Sequence, residues 1–119
     1  MNFNNILIGT ENPDAMVEYY TRVLGEPTMS MGGYTGWLIG TGYVTVGPHS
    51  EVKGRNVSPG RFIWNIESPD VQADFDRMKA AGAIVVAEPY SFEGVPDSRI
   101  ATFEDPDGNY FQLTSPWEG

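Results

Sequence analysis

The chain has 119 residues, of which 40% are hydrophobic and none is cysteine. It is therefore long enough to bury the core of one domain, without disulfides or thiolate metal sites. Its formal net charge of −9 disfavours nucleic acid and anionic membranes as partners. Because no basic segment precedes an apolar stretch and no 18 consecutive residues are apolar, we expect a cytoplasmic protein.

The first predicted unit is a strand, a helix and three further strands. Residues 5–25 read NILIGTENPDAMVEYYTRVLG, in which a β-prone run precedes a helix-start signal. Asn12 is a suitable N-cap, and Pro13 suits the first helical position because its missing N–H has no helical partner. Gly25 predicts the end of the helix. Three β-like segments separated by glycine follow, which read PTMSMGG, GWLIG and YVTVG.

The second unit repeats this order. Residues 61–82 read RFIWNIESPDVQADFDRMKAAG, with Ser68 as the expected N-cap, Pro69 as the first helical residue and Gly82 at the helix end. The segments AIVVAEPY, RIATFE and YFQLT follow as predicted strands. The turn DPDGN at 105–109 joins the last two strands into a hairpin.

The repeat predicts one α+β domain, residues 1–119, built from two tandem βαβββ modules. Module one covers about residues 1–48 and module two about residues 61–119, with a linker at about 49–60.

Three motifs give the chain its resemblance to the vicinal oxygen chelate superfamily: MVEYYTRVLG, DRMKAAGA and ATFEDPDGNYFQL. This superfamily includes glyoxalase I, extradiol dioxygenases, fosfomycin-modifying enzymes and the bleomycin resistance proteins. The resemblance covers essentially the whole chain. It implies that the paired modules curl their strands into a half-open mixed β-barrel around a cleft, and that the chain forms a homodimer.

Metal-dependent members of the superfamily carry His, Glu or Gln ligands on the first and last strand of each module. Carried onto this sequence, those positions are Asn5, Val44, Arg61 and Gln112. Valine cannot coordinate, arginine is a fixed cation without an acceptor, and amides are weak ligands beside carboxylates or imidazole. The sole histidine, His49, lies in the linker. We therefore expect no metal and no other cofactor, with a divalent metal as the alternative if the register slips by one or two residues.

The alternation of side chains along a strand selects the residues that line the cleft. If Arg61 points inward, Phe62 and Trp64 pack against the helices. Tyr90 and Phe92 are expected at the cleft rim, on the loop EPYSFEGVPDSR. The candidate ligand-binding residues are Asn5, Leu7, Trp37, Arg61, Ile63, Asn65, Tyr110 and Gln112.

Three functional hypotheses remain. The first is a metal-free protein that binds and sequesters a small molecule, a drug or a metabolite, with no catalytic residue assigned. The second is a metal-dependent glyoxalase-type lyase or isomerase, or an extradiol-type dioxygenase. The third is a regulatory or interaction domain whose cleft is filled by its own side chains. Arg61 favours a ligand with a carboxylate or carbonyl, whereas the acidic exterior favours a cation, and the sequence leaves both open. A salt bridge between Arg61 and an acidic residue is an equally open alternative to ligand contact.

Overall fold

The computed structural model describes residues 1–116, which form two modules with the same order of elements. Module one consists of β1 (Asn5–Thr10), α1 (Pro13–Leu24), β2 (Met29–Met31), β3 (Tyr34–Ile39) and β4 (Gly42–Pro48). A short 3-10 helix, Pro59–Arg61, precedes module two. Module two consists of β5 (Trp64–Glu67), α2 (Val71–Ala80), β6 (Ile84–Phe92), β7 (Val95–Glu104) and β8 (Tyr110–Thr114).

Each module folds into its own four-stranded mixed sheet. The strand orders are β1-β4-β3-β2 and β5-β8-β7-β6. In both sheets the first strand pairs in parallel with the last strand of the module, and the remaining pairs are antiparallel. This topology confirms the predicted α+β fold of two βαβββ modules. The two sheets do not close into one barrel.

The start of α2 differs from the prediction. The helix begins at Val71, and its N-cap is Asp70, whose Oδ1 accepts a hydrogen bond from the backbone N–H of Ala73 at 3.0 Å. Ser68 and Pro69 therefore precede the helix, and their assignment as N-cap and first helical residue was wrong. Aspartate is as good an N-cap as serine, so the later of the two acceptors caps the helix.

The other helix boundaries agree more closely with the sequence. The α1 helix begins at Pro13 and Asn12 occupies the N-cap position, although the Asn12 side chain makes no capping hydrogen bond. Gly25 and Gly82 follow the two helices with φ angles of 103° and 104°. Glycine reaches such positive φ angles without the steric cost of a Cβ, which is why it marks both helix ends.

The segment EPYSFEGVPDSR was predicted as a loop, and this was wrong. It forms the outer part of the β6–β7 hairpin, with Tyr90 and Phe92 on β6. The strand continues through Pro89 because β6 is the edge strand of its sheet, where a missing backbone N–H need not remove a ladder hydrogen bond.

The aromatic core joins the two modules. Tyr20 on α1 is fully buried, and its ring centroid lies 5.9 Å from that of Trp37 in module one. The same ring lies 6.1 Å from Trp64 and 5.7 Å from Phe111, both in module two. The two modules therefore share one core within a single chain.

Hydrogen bonds from module one also fix the turn between β7 and β8. The Tyr19 hydroxyl donates to the backbone carbonyl of Glu104 at 2.7 Å, and the Tyr20 hydroxyl donates to Oδ2 of Asp105 at 2.8 Å. The Thr10 hydroxyl donates to Oδ2 of Asp107 at 2.5 Å. The DPDGN turn thus fastens the end of module two to β1 and α1.

Candidate functional site

Two cavities lie between the modules. Cavity one has a volume of about 590 Å³ and cavity two a volume of about 350 Å³. Both are lined by Ile6 from β1 and by Phe62 and Trp64 at the start of module two, which we call the shared wall. Volumes of this size are typical of small-molecule sites.

Cavity one is an open cleft bordered by β1, the linker and the residues around the β7–β8 turn. Leu7 on β1 lines this cavity and is 48% exposed. Besides the shared wall, it is lined by Leu7, Ile8, Gly9, Glu51, Val52, Lys53, Gly54, Arg55, Asn56, Asp107, Asn109 and Tyr110. The lining is mainly apolar, with charged groups supplied by the linker and the turn.

The linker is fixed over cavity one by hydrogen bonds to both modules. The backbone N–H of Gly54 donates to Oε1 of Glu11 at 2.5 Å, at the end of β1. The Arg55 guanidinium donates to the carbonyl of Pro106 at 2.9 Å, and the backbone N–H of Asn56 donates to the carbonyl of Asp107 at 2.8 Å. Residues 51–56 are therefore a wall of the cavity as well as a connection between modules.

A buried carboxylate holds the turn that supplies Asp107 and Asn109 to this wall. Asp105 is fully buried, and its Oδ1 accepts the backbone N–H groups of Asp107 at 2.9 Å and Asn109 at 3.0 Å. Burial raises the pKa of Asp105 from its ordinary value, and the hydrogen bonds from Asn109 and Tyr20 oppose that rise. Burial also raises the pKa of Tyr20 well above its ordinary value. These groups are engaged in holding the fold, and neither of them lines a cavity.

Cavity two is lined by apolar side chains and three asparagines. The Asn5 amide donates to Oδ1 of Asn4 at 2.6 Å, and the Asn65 amide donates to the carbonyl of Ile63 at 3.1 Å. Besides the shared wall, cavity two is lined by Phe3, Asn4, Asn5, Ile39, Gly42, Tyr43, Val44, Ile63, Asn65 and Ile66.

Trp64 occupies the position between the two cavities. Its ring stacks on that of Phe111, with a centroid distance of 5.0 Å and an interplanar angle of 15°. Its indole Nε1–H is buried and has no hydrogen-bond partner among residues 1–116. A buried donor without an acceptor is unfavourable, and it is uncommon in folded proteins.

The structure divides the eight candidate ligand-binding residues among three environments. Leu7 and Tyr110 line cavity one. Asn5, Ile63 and Asn65 line cavity two. The other three line neither cavity: Trp37, Arg61 and Gln112.

The last three residues have other positions. Trp37 is only 2% exposed, and its indole donates to the carbonyl of Gly25 at 2.8 Å within the core. Gln112 donates to Oγ1 of Thr102 at 3.0 Å across the β7–β8 pair. Arg61 was expected on the first strand of module two, but it ends the 3-10 helix before that strand.

The register at the start of module two explains one further error. Phe62 was expected to pack against a helix, yet its side chain is 80% exposed. The strand begins at Trp64, so Phe62 lies in the connection and the expected alternation does not apply to it. Tyr90 and Phe92, expected at the cleft rim, line neither cavity.

The residues present do not suit a divalent metal. Asn5 and Val44 line cavity two, whereas Arg61 and Gln112 do not, so the four expected ligand positions are not gathered at one cavity. Val44 is 4% exposed in the core. Within residues 1–116 there is no group of three or more His, Cys, Asp or Glu side chains placed to hold a metal ion. The imidazole and carboxylate donors that such ions favour are therefore not assembled there.

Sequence reasoning missed the contribution of the linker and the turn to cavity one. The only available signal was the concentration of polar and charged residues in EVKGRN, at 51–56. The position of this segment depends on contacts with Glu11 and Asp107, which are distant in sequence.

No helix within residues 1–116 is long and apolar enough to span a bilayer.

Comparisons with known proteins agree on the fold. A family model described as a glyoxalase-like domain matches residues 5–114. No curated protein sequence matches the chain.

Three solved structures illustrate the similarity. A glyoxalase/bleomycin resistance protein/dioxygenase family enzyme from Burkholderia phytofirmans PsJN is 20% identical with a TM-score of 0.73, and the match covers 97% of this chain and 98% of that one. A glyoxalase/bleomycin resistance protein from Albidiferax ferrireducens T118 is 15% identical with a TM-score of 0.75, covering 97% and 98%. TnmS3, an antibiotic binding protein from Streptomyces sp. CB03234, is 19% identical with a TM-score of 0.74, covering 98% and 97%. At these identities the similarity shows the fold alone.

Proposed function

Because this chain belongs to the family of glyoxalase-like domains, within the vicinal oxygen chelate superfamily, we propose that it is a small-molecule binding protein. It acts by sequestering a drug or metabolite between its two modules, without a metal. The observation that carries this proposal is the pair of adjacent cavities, of about 590 and 350 Å³, which meet at one aromatic wall. Their mainly apolar lining with a few polar groups suits capture of a ligand by burial.

Two of the charged residues that line cavity one, Arg55 and Asp107, are engaged in contacts that hold the linker and the turn. General acid–base catalysis requires a titratable group poised near the substrate. The carboxylate of Asp107 in cavity one already accepts the Thr10 hydroxyl at 2.5 Å. The structural neighbour TnmS3, an antibiotic binding protein, supports small-molecule binding as a function that this fold can perform.

A homodimer forms part of the proposal. The outer part of the β6–β7 hairpin carries three exposed apolar side chains, Tyr90 at 46%, Phe92 at 45% and Val95 at 52%. Adjacent exposed apolar side chains favour association between two copies of the chain. Light scattering after size-exclusion chromatography measures the molar mass and so distinguishes a dimer from a monomer. The cytoplasmic location stays a prediction.

The proposal is tested by a thermal-shift screen of neutral drug-like and metabolite compounds. A ligand present at one hundred times its dissociation constant stabilises the folded chain by about 2.7 kcal/mol, which is readily seen as a rise in Tm. The chain offers a matched pair of variants to locate the site. Leu7 and Leu38 lie on the same sheet with exposures of 48% and 45%, but only Leu7 lines a cavity.

Leu7→Arg places a charged chain in cavity one and is expected to abolish the shift caused by a compound that binds there. Leu38→Arg is expected to retain that shift. A screen with no stabilising compound would contradict binding between the modules. Hits that both variants bind equally well would exclude cavity one as the site of capture.

A further inference from the structure

We infer that Trp64 determines which ligands are retained, and that its indole N–H selects a neutral aromatic compound carrying a carbonyl acceptor. This inference rests on the proposed small-molecule function and specifies the chemistry of its ligand. It assigns Trp64 the role of polar anchor in an otherwise mainly apolar site.

The first support is the contrast between two tryptophans of this chain. The Trp37 indole, in the core, donates to the carbonyl of Gly25 at 2.8 Å. The Trp64 indole has no acceptor among residues 1–116, although it is also shielded from solvent. A structural tryptophan is normally satisfied by its surroundings, so a donor left unsatisfied at a cavity wall is available to an acceptor from outside the chain.

The second support is the balance of charge around cavity one. The linker supplies Glu51, Lys53 and Arg55 to the lining, and the turn supplies Asp107. These are two acidic and two basic groups, so the lining carries no net charge. Since the chain as a whole carries −9, its long-range field opposes an anion. The cavity therefore favours an uncharged acceptor over a carboxylate.

The third support is the composition of the wall. Phe62 and Trp64 border both cavities, and Tyr110 borders cavity one. Aromatic walls favour flat, aromatic ligands through stacking and edge-to-face contacts.

The acceptor must displace a neighbouring side chain, because the Trp64 nitrogen is buried in the free chain. Phe62 is the exposed member of the shared wall, at 80%. Its side chain therefore loses little packing when it moves.

The test uses 9-fluorenone and fluorene, two neutral flat probes with the same three-ring carbon framework that differ at C9, where fluorenone has a carbonyl and fluorene a CH₂. Binding to the wild-type chain and to Trp64→Phe is measured by equilibrium dialysis. We expect the wild-type chain to bind fluorenone about tenfold more tightly than fluorene, since a buried donor is satisfied by only one of them. Trp64→Phe is expected to bind both probes equally. Trp37→Phe, which removes a paired indole in the core, is expected to keep the preference for fluorenone.

A spectroscopic readout keeps the inference testable if Trp64→Phe does not fold. The carbonyl stretching band of fluorenone bound to the wild-type chain is expected at lower frequency than in an apolar solvent, as hydrogen bonding requires. An unshifted band, equal affinity of the wild-type chain for the two probes, or a preference that persists in a folded Trp64→Phe would each overturn the inference. So would failure of the wild-type chain to bind either probe. None of these results touches the proposed function itself, which the compound screen with Leu7→Arg and Leu38→Arg decides.

Discussion

Replacing Tyr20 by phenylalanine tests whether the β7–β8 turn is fastened to module one as the structure indicates. The substitution deletes only the hydroxyl that donates to Oδ2 of Asp105 at 2.8 Å. Both residues are fully buried, so water cannot replace the lost donor without rearrangement. A hydrogen bond to a charged, buried acceptor contributes roughly 1.5–3 kcal/mol.

We therefore expect Tyr20→Phe to lower the free energy of unfolding at pH 7 by about 2 kcal/mol. For a chain of 119 residues, an unfolding entropy of about 2.1 cal/mol/K per residue converts this loss into a fall in Tm of about 8 °C. Chemical denaturation gives the free energy and differential scanning calorimetry gives the Tm.

The loss of stability caused by Tyr20→Phe should depend on pH, and the ionisation of the Asp105 carboxyl determines the direction of this dependence. Burial raises the pKa of Asp105 in the folded chain above its ordinary value of 3.8, so the folded state binds this proton more tightly than the unfolded state. The free-energy cost of burying the charged Asp105 carboxylate is fully present above the pKa of Asp105 in the folded chain. This cost disappears as the pH falls through that pKa and the carboxyl is protonated. The Tyr20 hydrogen bond opposes the rise in pKa because it stabilises the charged form. The loss caused by Tyr20→Phe should therefore be greatest at pH 7 and become smaller as the pH falls, because more of the carboxyl is then neutral.

Tyr19→Phe is the matched control. The Tyr19 hydroxyl donates to the carbonyl of Glu104 at 2.7 Å and accepts from the N–H of Ile84 at 3.1 Å, both uncharged groups. Burial raises the pKa of Tyr19 to about 12, so it does not titrate in this range. Tyr19→Phe should destabilise the chain by an amount independent of pH between 4 and 7. A loss for Tyr20→Phe that stays constant over this range, or an equal pH dependence for Tyr19→Phe, would refute the reasoning.

Three further predictions concern packing, capping and metal. Gly47→Ala places a Cβ against the ring of Tyr34 and should lower the free energy of unfolding by about 1–3 kcal/mol. Gly60 has open space around it, so Gly60→Ala should change the free energy of unfolding by less than about 0.5 kcal/mol in the same denaturation experiment. Asp70→Ala removes the side-chain cap of α2 and should lower the free energy of unfolding by about 1 kcal/mol. Asn12→Ala removes no capping hydrogen bond, so it should lower the free energy of unfolding clearly less. Equal losses would contradict the assigned caps. Because His, Asp and Glu side chains are not clustered within residues 1–116, elemental analysis of the chain purified without chelator should find no near-stoichiometric zinc, nickel, manganese or iron. Treatment with EDTA should leave the Tm unchanged. A stoichiometric metal would overturn the metal-free function.

The fold was predictable because its signals are local. The pattern ENPD before α1 places Pro13 at the first helical position, and the glycines after both helices adopt the positive φ angles that only glycine reaches at little cost. The repeat of these signals predicts two modules without knowledge of any contact. The error at Ser68 arose because Asp70, two residues later, is an equally good cap.

The site was less predictable because its position depends on contacts between distant residues. The alternation rule correctly directs Leu7 away from the core, because Leu7 lies within a regular strand. The same rule fails for Arg61 and Phe62, since the strand begins only at Trp64. No sequence pattern reveals that the Trp64 indole lacks an acceptor, because this depends on the residues packed around it.

Mapping a bound compound by NMR tests the central claim, capture of a small molecule between the modules, most directly. A stabilising compound from the screen is titrated into the ¹⁵N-labelled chain, and the shifts of backbone amides and tryptophan indoles are followed. We predict that the largest shifts occur in residues 51–56, at Leu7 and Tyr110, and at the Trp64 indole, which line the cavities. Shifts confined to the outward surfaces of α1 and α2, with the Trp64 indole unmoved, would contradict the claim.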